Sequence, residues 1–407
     1  MKHSTPLPLF DSMEHLNDTH DFSYLNKDYF LEDIVVSKKF LNSYKGSKGT
    51  FNSYRREVER FIHWTVLVAG KKISQISRED IESYFNFCRQ PPKHWIGKTK
   101  PPRFIKKEGL RVPNIQWRPF VVTVSKVEHR RGVSPEIDNF SLSYGSLRET
   151  LVILGSYFSY LLEEGHVLTN PVALIRQKSK IIRKSQGTTV IRRLTDIQWQ
   201  YVIETALNLA NNNGEQHERT LIIMSSLYSM YLRISELAAS ERWAPQMNHF
   251  ARDGDGSWWF TTVGKGNKER NIAVSDAMIA ALKRWRMYLA LSPLPSPADN
   301  TPLLPKIKGS GPISSTNAIR KIVQFCFDKA INKLSEDGFN DEADNLNEAT
   351  VHWLRHTGIS DDVKVRPREH VRDDAGHSSG AITDKYIDIE LRERHSSARK
   401  KPMSCDD

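Results

Sequence analysis

The chain has 407 residues, of which 39% are hydrophobic and 26% charged, a composition typical of a folded globular protein long enough for two domains. No apolar run approaches the roughly 18 residues of a membrane-spanning helix. The three cysteines are far apart and odd in number, so they offer neither a disulfide framework nor metal-ligand spacing. We therefore expect a cytoplasmic protein with no membrane partner, no bound metal and no cofactor.

The net charge of +11 is concentrated in two segments. Residues 91–131 carry eleven Lys and Arg against two acids, and residues 176–193 carry seven Lys and Arg and no acid. Residues 1–34, in contrast, carry a net charge of −5. This distribution fits a protein that binds a polyanion, although two solvated basic loops would explain the charge alone equally well.

The first half of the chain predicts a helical domain. We interpret residues 1–34 as an acidic tail or a short docking segment, and residues 35–175 as the domain itself. Hydroxyl residues followed by apolar residues at helical spacing, with a capping pattern from Ser77 to Asp80, predict its helices. A basic, proline-containing insertion at 91–131 interrupts them, and we expect it to be a loop.

The second half has a mixed composition. Residues 176–193 have no apolar face and contain a Gly-Thr-Thr break, which predicts an extended linker. In residues 194–395, helical patterns surround two β-rich runs, "SWWFTTV" and "RNIAVS", separated by the hairpin signature "GKGNKE". Residues 396–407 are assigned to a C-terminal tail. The predicted fold class is mainly α with a small β-sheet or hairpin (α+β), in two domains.

Four motifs in the second half contain candidate catalytic residues. In chain order they are Arg233 and Glu236 in "YLRISEL", Lys265 in "VGKGNKERN", His352 and Arg355 in "HWLRHT", and His377 and Tyr386 in "GHSSGAITDKY". Taken alone, each motif is more often structural: a surface ion pair, a polar turn, a solvated helix face or a packed tyrosine. Their shared order and spacing therefore carry the functional interpretation.

In that order and spacing the motifs resemble the tyrosine recombinase (phage integrase) family. The resemblance covers about residues 194–394, and the upstream helical domain and linker are similar in layout to the family's core-binding domain. It implies a two-domain, C-shaped clamp on double-stranded DNA and a homotetramer assembled there, with or without an accessory DNA-bending protein. The implied function is cutting and rejoining DNA through a 3′-phosphotyrosyl intermediate, for integration, excision or resolution of a mobile element.

The resemblance also implies a role for each residue. The implied roles are nucleophile for Tyr386; phosphate clamp for Arg233, Arg355 and His377; acid for the leaving 5′-oxygen for Lys265; base for His352; and orientation of neighbouring groups for Glu236. Two guanidiniums suit this chemistry because they bind non-bridging phosphate oxygens bidentately and take the place of a divalent cation.

Lysines and arginines of the two basic segments are the candidate contacts to the DNA backbone. They are Lys98, Lys100, Arg103, Lys106, Lys107, Arg111, Lys178, Lys180, Arg183, Lys184, Arg192 and Arg193. Trp95 and Trp117, which lie in the first segment, are expected to pack in the core rather than to stack on bases.

The sequence departs from the family pattern in three places. Tyr231 stands where the family usually has glycine, and Ala375 stands where it commonly has leucine. The stretch at 361–374 is more charged than the usual apolar helix. These departures concern local packing and remove no catalytic group.

Two alternative functions remain open at this stage. A type IB-like topoisomerase uses the same chemistry without exchanging strands, and a non-catalytic DNA-binding protein can have the same fold. The segment "IDIELRERHSSARK" favours a recombinase, because the resemblance to the family implies that it forms a short helix that docks on a neighbouring protomer.

Overall fold

The computed structural model describes residues 5–18, 30–173, 175, 192–264, 266–387 and 398–399. The chain divides into two compact units, Met1–Gly187 and Thr188–Asp407, and each has its own hydrophobic core. None of the described helices is both long and apolar enough to cross a membrane. The predicted linker lies outside the described residues except for Arg192 and Arg193, and the predicted C-terminal tail does so except for 398–399.

The described part of the first unit is mainly helical. Its helices are α1 (Phe30–Asn42), α2 (Lys48–Trp64), α3 (Arg78–Arg89), α4 (Lys126–Arg130) and α5 (Tyr144–Glu163). Helix α3 begins with the predicted capping box, in which Ser77 and Asp80 each accept from the other's backbone N–H. The apolar helix faces meet around Phe61, whose ring packs edge-on against Tyr84 and Phe158 at centroid distances of 5.1 and 5.6 Å.

The basic insertion is not the loop that the sequence led us to expect. It contains the short strands β1 (Ile96–Gly97), β2 (Phe104–Lys107), β3 (Leu110–Pro113) and β4 (Phe120–Val121). Strands β2 and β3 form an antiparallel hairpin whose two-residue turn, Glu108 and Gly109, has positive φ angles of 52° and 82°. Strands of two to four residues are too short for a reliable alternation pattern, so the prediction of an all-helical first region was wrong here.

The N-terminal segment docks on this first unit. Leu9, Phe10 and Leu16 are buried, and the backbone N–H groups of Leu9 and Phe10 donate to the buried Glu59 carboxylate at 2.5 and 3.1 Å. The neighbouring Asp11 accepts two hydrogen bonds from Arg111, at 2.5 and 2.7 Å. Of the two interpretations of residues 1–34, a docking segment describes residues 5–18 and a mobile tail does not.

The second unit surrounds a central helix with other helices and a small sheet. Its described helices are α6 (Asp196–Asn212), α7 (Gly214–Ser229), α8 (Ile234–Leu237), α9 (Asp276–Tyr288), α10 (Thr316–Glu336), α11 (Asn340–Leu346), α12 (Val351–Asp362), α13 (Arg368–Ala375) and α14 (Gly380–Ile387). Helix α7 contacts α6, α9, α10 and α12. Gly358 on α12 permits the close approach to α7, because a Cβ there would overlap the Tyr228 carbonyl oxygen.

The sheet of the second unit confirms the predicted hairpin. Strands β5 (Phe250–Arg252), β6 (Trp258–Val263) and β7 (Glu269–Ala273) are antiparallel in the order β5-β6-β7. The β6–β7 register pairs Val263 with Glu269, so the glycine-rich turn that contains Lys265 leaves the end of this ladder. The mainly α fold with a small sheet is therefore as expected.

Candidate active site

The second unit brings Arg233, Arg355, His377 and Tyr386 together from four separate elements. They lie at the start of α8, on α12, in the turn after α13 and on α14 respectively. Tyr386 is only 6% exposed and packs in a small cluster with the apolar side chains of α12 and α13. The predicted residues are thus far apart in sequence but close in space.

Glu236 is the anchor of the first arginine. It is 1% exposed and accepts from the backbone N–H of Arg233 at 2.8 Å and from its Nη1 at 2.9 Å. Arg270, on β7, donates to both carboxylate oxygens at 2.8 Å. Burial alone would raise the pKa of Glu236, but the Arg270 and Arg233 partners hold it below its ordinary value. Glu236 is therefore an ionised carboxylate that holds Arg233 in place.

Arg270 is a residue that the sequence analysis missed. Besides Glu236, it binds the Asp374 carbonyl through Nε at 2.9 Å, and so connects β7 to the end of α13. The hairpin pattern predicted only Lys265, the lysine between two glycines, as a functional residue. An arginine on a half-buried strand directly after that turn was the available signal.

Arg355 is held by backbone rather than by a carboxylate. The side chain is nearly inaccessible, at 2% exposure, and its Nη1 and Nη2 donate to the carbonyls of Tyr231 and Ala375, the second at 2.6 Å. Burial and the neighbouring Arg233 lower its pKa to about 9, so it remains protonated at neutral pH. Arg233 and Arg355 therefore lie at one site, where Arg233 shares the Glu236 carboxylate with Arg270 and Arg355 is held by backbone carbonyls.

The tyrosine hydroxyl has a histidine partner that differs from the predicted one. The Nδ1 atom of His356 lies 2.5 Å from Tyr386 Oη, whereas His352 packs edge-on against the His356 ring at a centroid distance of 4.2 Å. His356 was missed in the sequence analysis, which assigned the base role to His352. The signal was available, because residues four apart on a helix share one face.

The site's titratable groups are tuned by burial. Burial lowers the pKa of His356 to about 3, with smaller effects from His352 and Arg355. Burial also lowers the pKa of His377 to about 4, with smaller effects from the nearby arginines. It raises the pKa of Tyr386, although Arg355 and Arg233 act in the opposite direction. At neutral pH the site therefore holds neutral histidines, a protonated tyrosine and an excess of arginine charge, which favours an incoming anion.

His377 lies beside the tyrosine ring. Its own ring is nearly parallel to that of Tyr386, at 16° and a centroid distance of 5.8 Å, and its Nδ1 bonds Thr383 Oγ1 at 2.9 Å. The preceding Gly376 has a φ of 63°, and a Cβ at that position would crowd Arg270 Cδ at 2.9 Å. A glycine is thus needed for the turn that delivers His377.

Lys265 lies outside the described residues, but the residue before it is at the site. A Cβ on Gly264 would meet Arg270 Nη1 at 2.8 Å and Glu236 Oε1 at 3.2 Å. The glycine-rich turn therefore starts in contact with the pair that anchors Arg233. Within the described residues, no group of His, Cys, Asp and Glu could hold a metal ion.

The candidate DNA contacts of the first unit divide into two classes. Lys98, Lys100, Lys106 and Lys107 are exposed. Arg103 instead forms an ion pair with the buried Glu59 and lies 4.7 Å from the Trp117 ring centre, and Arg111 is held by Asp11 as described above. Trp95 and Trp117 are 2% and 6% exposed, in agreement with the expected core packing.

The candidate contacts of the linker are described only at its end. Arg192 is exposed, and Arg193 lies 3.6 Å from Asp361. The four upstream candidates, Lys178, Lys180, Arg183 and Lys184, lie outside the described residues.

No family model matches the chain. It is 29% identical over 187 residues to a protein named tyrosine recombinase XerC from Xanthomonas campestris pv. campestris, covering 44% of this chain and 46% of that protein. It is 30% identical over 159 residues to a tyrosine recombinase XerC from Shewanella amazonensis, covering 39% and 44%. The chain thus spans about half the length of these curated relatives.

Solved structures match nearly the whole chain. The XerH site-specific recombinase bound to palindromic difH substrate, in a post-cleavage complex, matches with a TM-score of 0.53 and 14% identity over 98% of this chain and 99% of that one. The XerH pre-cleavage complex matches with a TM-score of 0.51 over 95% and 86%. At this identity the likeness establishes the fold.

Proposed function

We propose that this chain is a site-specific recombinase of the tyrosine recombinase family, which cuts and rejoins DNA through a 3′-phosphotyrosyl intermediate. The observation that carries the proposal is the tyrosine hydroxyl bound to a neutral histidine, with two arginines and a second histidine around it. The relatives' names favour recombination over relaxation by a topoisomerase.

The scissile phosphate would be bound by Arg233, Arg355 and His377. A guanidinium has five N–H donors, so the two backbone bonds of Arg355 do not exhaust it and leave an edge for the non-bridging oxygens. Arg233, whose side chain is 27% exposed, is the more accessible of the two arginines. The negative charge that develops on these oxygens during attack is stabilised by groups already in place.

In the cleavage step, Tyr386 Oη attacks the phosphorus and its proton moves to His356 Nδ1. The bond from phosphorus to the 5′-oxygen breaks, and Lys265 protonates that oxygen as it leaves. A pKa of about 3 makes His356 a weak base in the empty site. A bound phosphate places negative charge beside it and so raises its pKa toward the ordinary value of about 6.5. Religation runs the same transfers in reverse with a different 5′-hydroxyl.

We further propose that the exposed lysines of the hairpin region and the linker residues contact DNA phosphates. Arg103 and Arg111 leave this set, because each is held by an acidic residue of the first unit. The two units would enclose a duplex as a clamp, four protomers would assemble on DNA, and an accessory DNA-bending protein fits this scheme. A cytoplasmic location is consistent with such a substrate.

Covalent capture tests the proposal. Wild type and Tyr386→Phe are expressed in cells that carry the source DNA, lysed under denaturing conditions and captured, and the attached DNA is sequenced. We expect discrete sequences with the wild type and none with Tyr386→Phe. Equal recovery from both proteins, or none from the wild type on its source DNA, would contradict the proposal.

A further inference from the structure

Tyr231 has an unusual backbone conformation for a large residue. Its φ is 47°, in the left-handed region where glycine is unstrained and other residues are not. The side chain is nevertheless 1% exposed, and its carbonyl accepts a hydrogen bond from Arg355. A large residue in a strained backbone conformation therefore lies directly beside Arg355, and the contacts of its side chain are the feature that a glycine there would lack.

The Tyr231 hydroxyl joins a cluster of charged side chains. It donates to Asp362 and accepts from Arg366 Nη1 at 2.9 Å. Arg366 also binds Asp362 at 3.0 Å and Asp374 at 2.6 Å. The other Asp374 oxygen accepts from the backbone N–H of Ala273 on β7 at 3.2 Å. Three charged side chains of the stretch at 361–374, those of Asp362, Arg366 and Asp374, thus form one cluster with this tyrosine.

This cluster is connected to both backbone carbonyls that accept hydrogen bonds from Arg355. One acceptor is the carbonyl of Tyr231 itself. The other is the carbonyl of Ala375, the residue after Asp374, at 2.6 Å. A closed circuit therefore runs from Arg355 through Tyr231, Arg366 and Asp374 back to Arg355. Tyr231 and the charged residues Arg366 and Asp374 therefore belong to one hydrogen-bonded network.

We propose that the Tyr231 hydroxyl is a positioning group for Arg355: through Arg366 and Asp374 it fixes the two carbonyls that aim the guanidinium at the phosphate. The proposal rests on the proposed function for its kinetic consequence, but not for the circuit itself. Losing the hydroxyl leaves Arg366 paired with both carboxylates, so the fold is retained while the aim of Arg355 relaxes. A misplacement of about 1 Å in a positioned group can slow a reaction about 100-fold.

The chain contains a matched control. Tyr228, one turn earlier, donates its hydroxyl to Asp361 at 3.0 Å, so Tyr228→Phe removes the same kind of contact outside the circuit. Cleavage is measured as single-turnover formation of the covalent adduct on a nicked copy of the captured DNA site. For Tyr231→Phe we expect a rate at saturating DNA that is about 10 to 100 times lower, with an unchanged half-saturating concentration. Tyr228→Phe should match the wild type.

Equal rates for Tyr231→Phe and the wild type would overturn the proposal, as would equal losses in both variants that follow their melting temperatures. If Tyr231→Phe does not fold, Asp362→Asn replaces it. The same slowing is expected for that variant, and a rate equal to that of the wild type would overturn the proposal. A purely structural role would change the melting temperature but not the rate on bound DNA.

A second measurement needs no activity, and it decides the inference if the wild type forms no adduct and the proposed function fails. Melting temperatures are compared in a double-mutant cycle of Tyr231→Phe with Arg355→Met. We expect the double mutant to lose clearly less than the sum of the two single losses, because both changes break one circuit. The cycle with Tyr228→Phe should be additive. Additive losses in the Tyr231 cycle would overturn the inference in that case.

Discussion

Replacing His356 should impair cleavage more than replacing His352. His356 Nδ1 is 2.5 Å from the Tyr386 hydroxyl, so His356→Gln keeps a side chain that can accept a hydrogen bond but cannot carry the proton. The tyrosine would then react only from its small ionised fraction. With an ordinary pKa of about 10, that fraction is about 1 in 1000 at pH 7, and burial makes it smaller. We expect a rate loss of about 100- to 1000-fold, in the range of general base catalysis.

The pH dependence makes this prediction specific. Without a proton acceptor, the rate should rise about tenfold per pH unit between pH 6 and pH 9, because the tyrosinate fraction rises in that way. The wild-type rate should change much less over this range, since its histidine takes the proton within the site. The assay is single-turnover adduct formation on a nicked site at saturating DNA. A larger loss in His352→Gln than in His356→Gln, or parallel pH profiles for His356→Gln and the wild type, would refute the assignment.

Three further outcomes follow from the site and the docked N-terminal segment. The pKa of His377 is about 4 in the empty site, and a bound phosphate should raise it, so DNA binding should take up protons and tighten as pH falls from 8 to 6. Calorimetry in two buffers of different ionisation enthalpy measures this uptake, which should shrink in His377→Asn. A Cβ at Gly264 would crowd Arg270 and Glu236, which hold Arg233, so Gly264→Ala should slow adduct formation. Gly254→Ala should not, because the space around Gly254 is open. Lys107→Gln should lower the slope of log affinity against log salt by about 1. Arg111→Gln should leave that slope unchanged and lower the melting temperature, because it releases the N-terminal segment. Unchanged proton uptake, equal rates for the two glycine variants or equal salt slopes for Lys107→Gln and Arg111→Gln would contradict these expectations.

The sequence predicted the parts of the site that depend on local pattern. Helical spacing put Arg355 one turn from His352, and the glycine-rich turn identified the β6–β7 hairpin. The order of the motifs then suggested that distant residues share a site, and the structure places Arg233 and Tyr386 accordingly.

The remaining features depend on tertiary contacts that no local pattern specifies. The place of His352 in its motif predicts the base role for that residue, but the choice between His352 and His356 depends on where α14 packs against α12. The stretch at 361–374 stood out only as unusually charged, because nothing local shows that Arg366 reaches a tyrosine 135 residues earlier. Arg103 was likewise assigned to DNA because its partner, Glu59, lies on a different element.

The most direct test of the account is to identify the atom that carries the DNA. Trypsin should cleave after Lys385 and release residues 386–392, "YIDIELR", from the covalent adduct after nuclease digestion. We predict that mass spectrometry finds this peptide with a nucleotide joined through a 3′-phosphate to Tyr386. A 5′-linked nucleotide, or attachment to any other residue, would contradict the assignment of Tyr386 as the nucleophile.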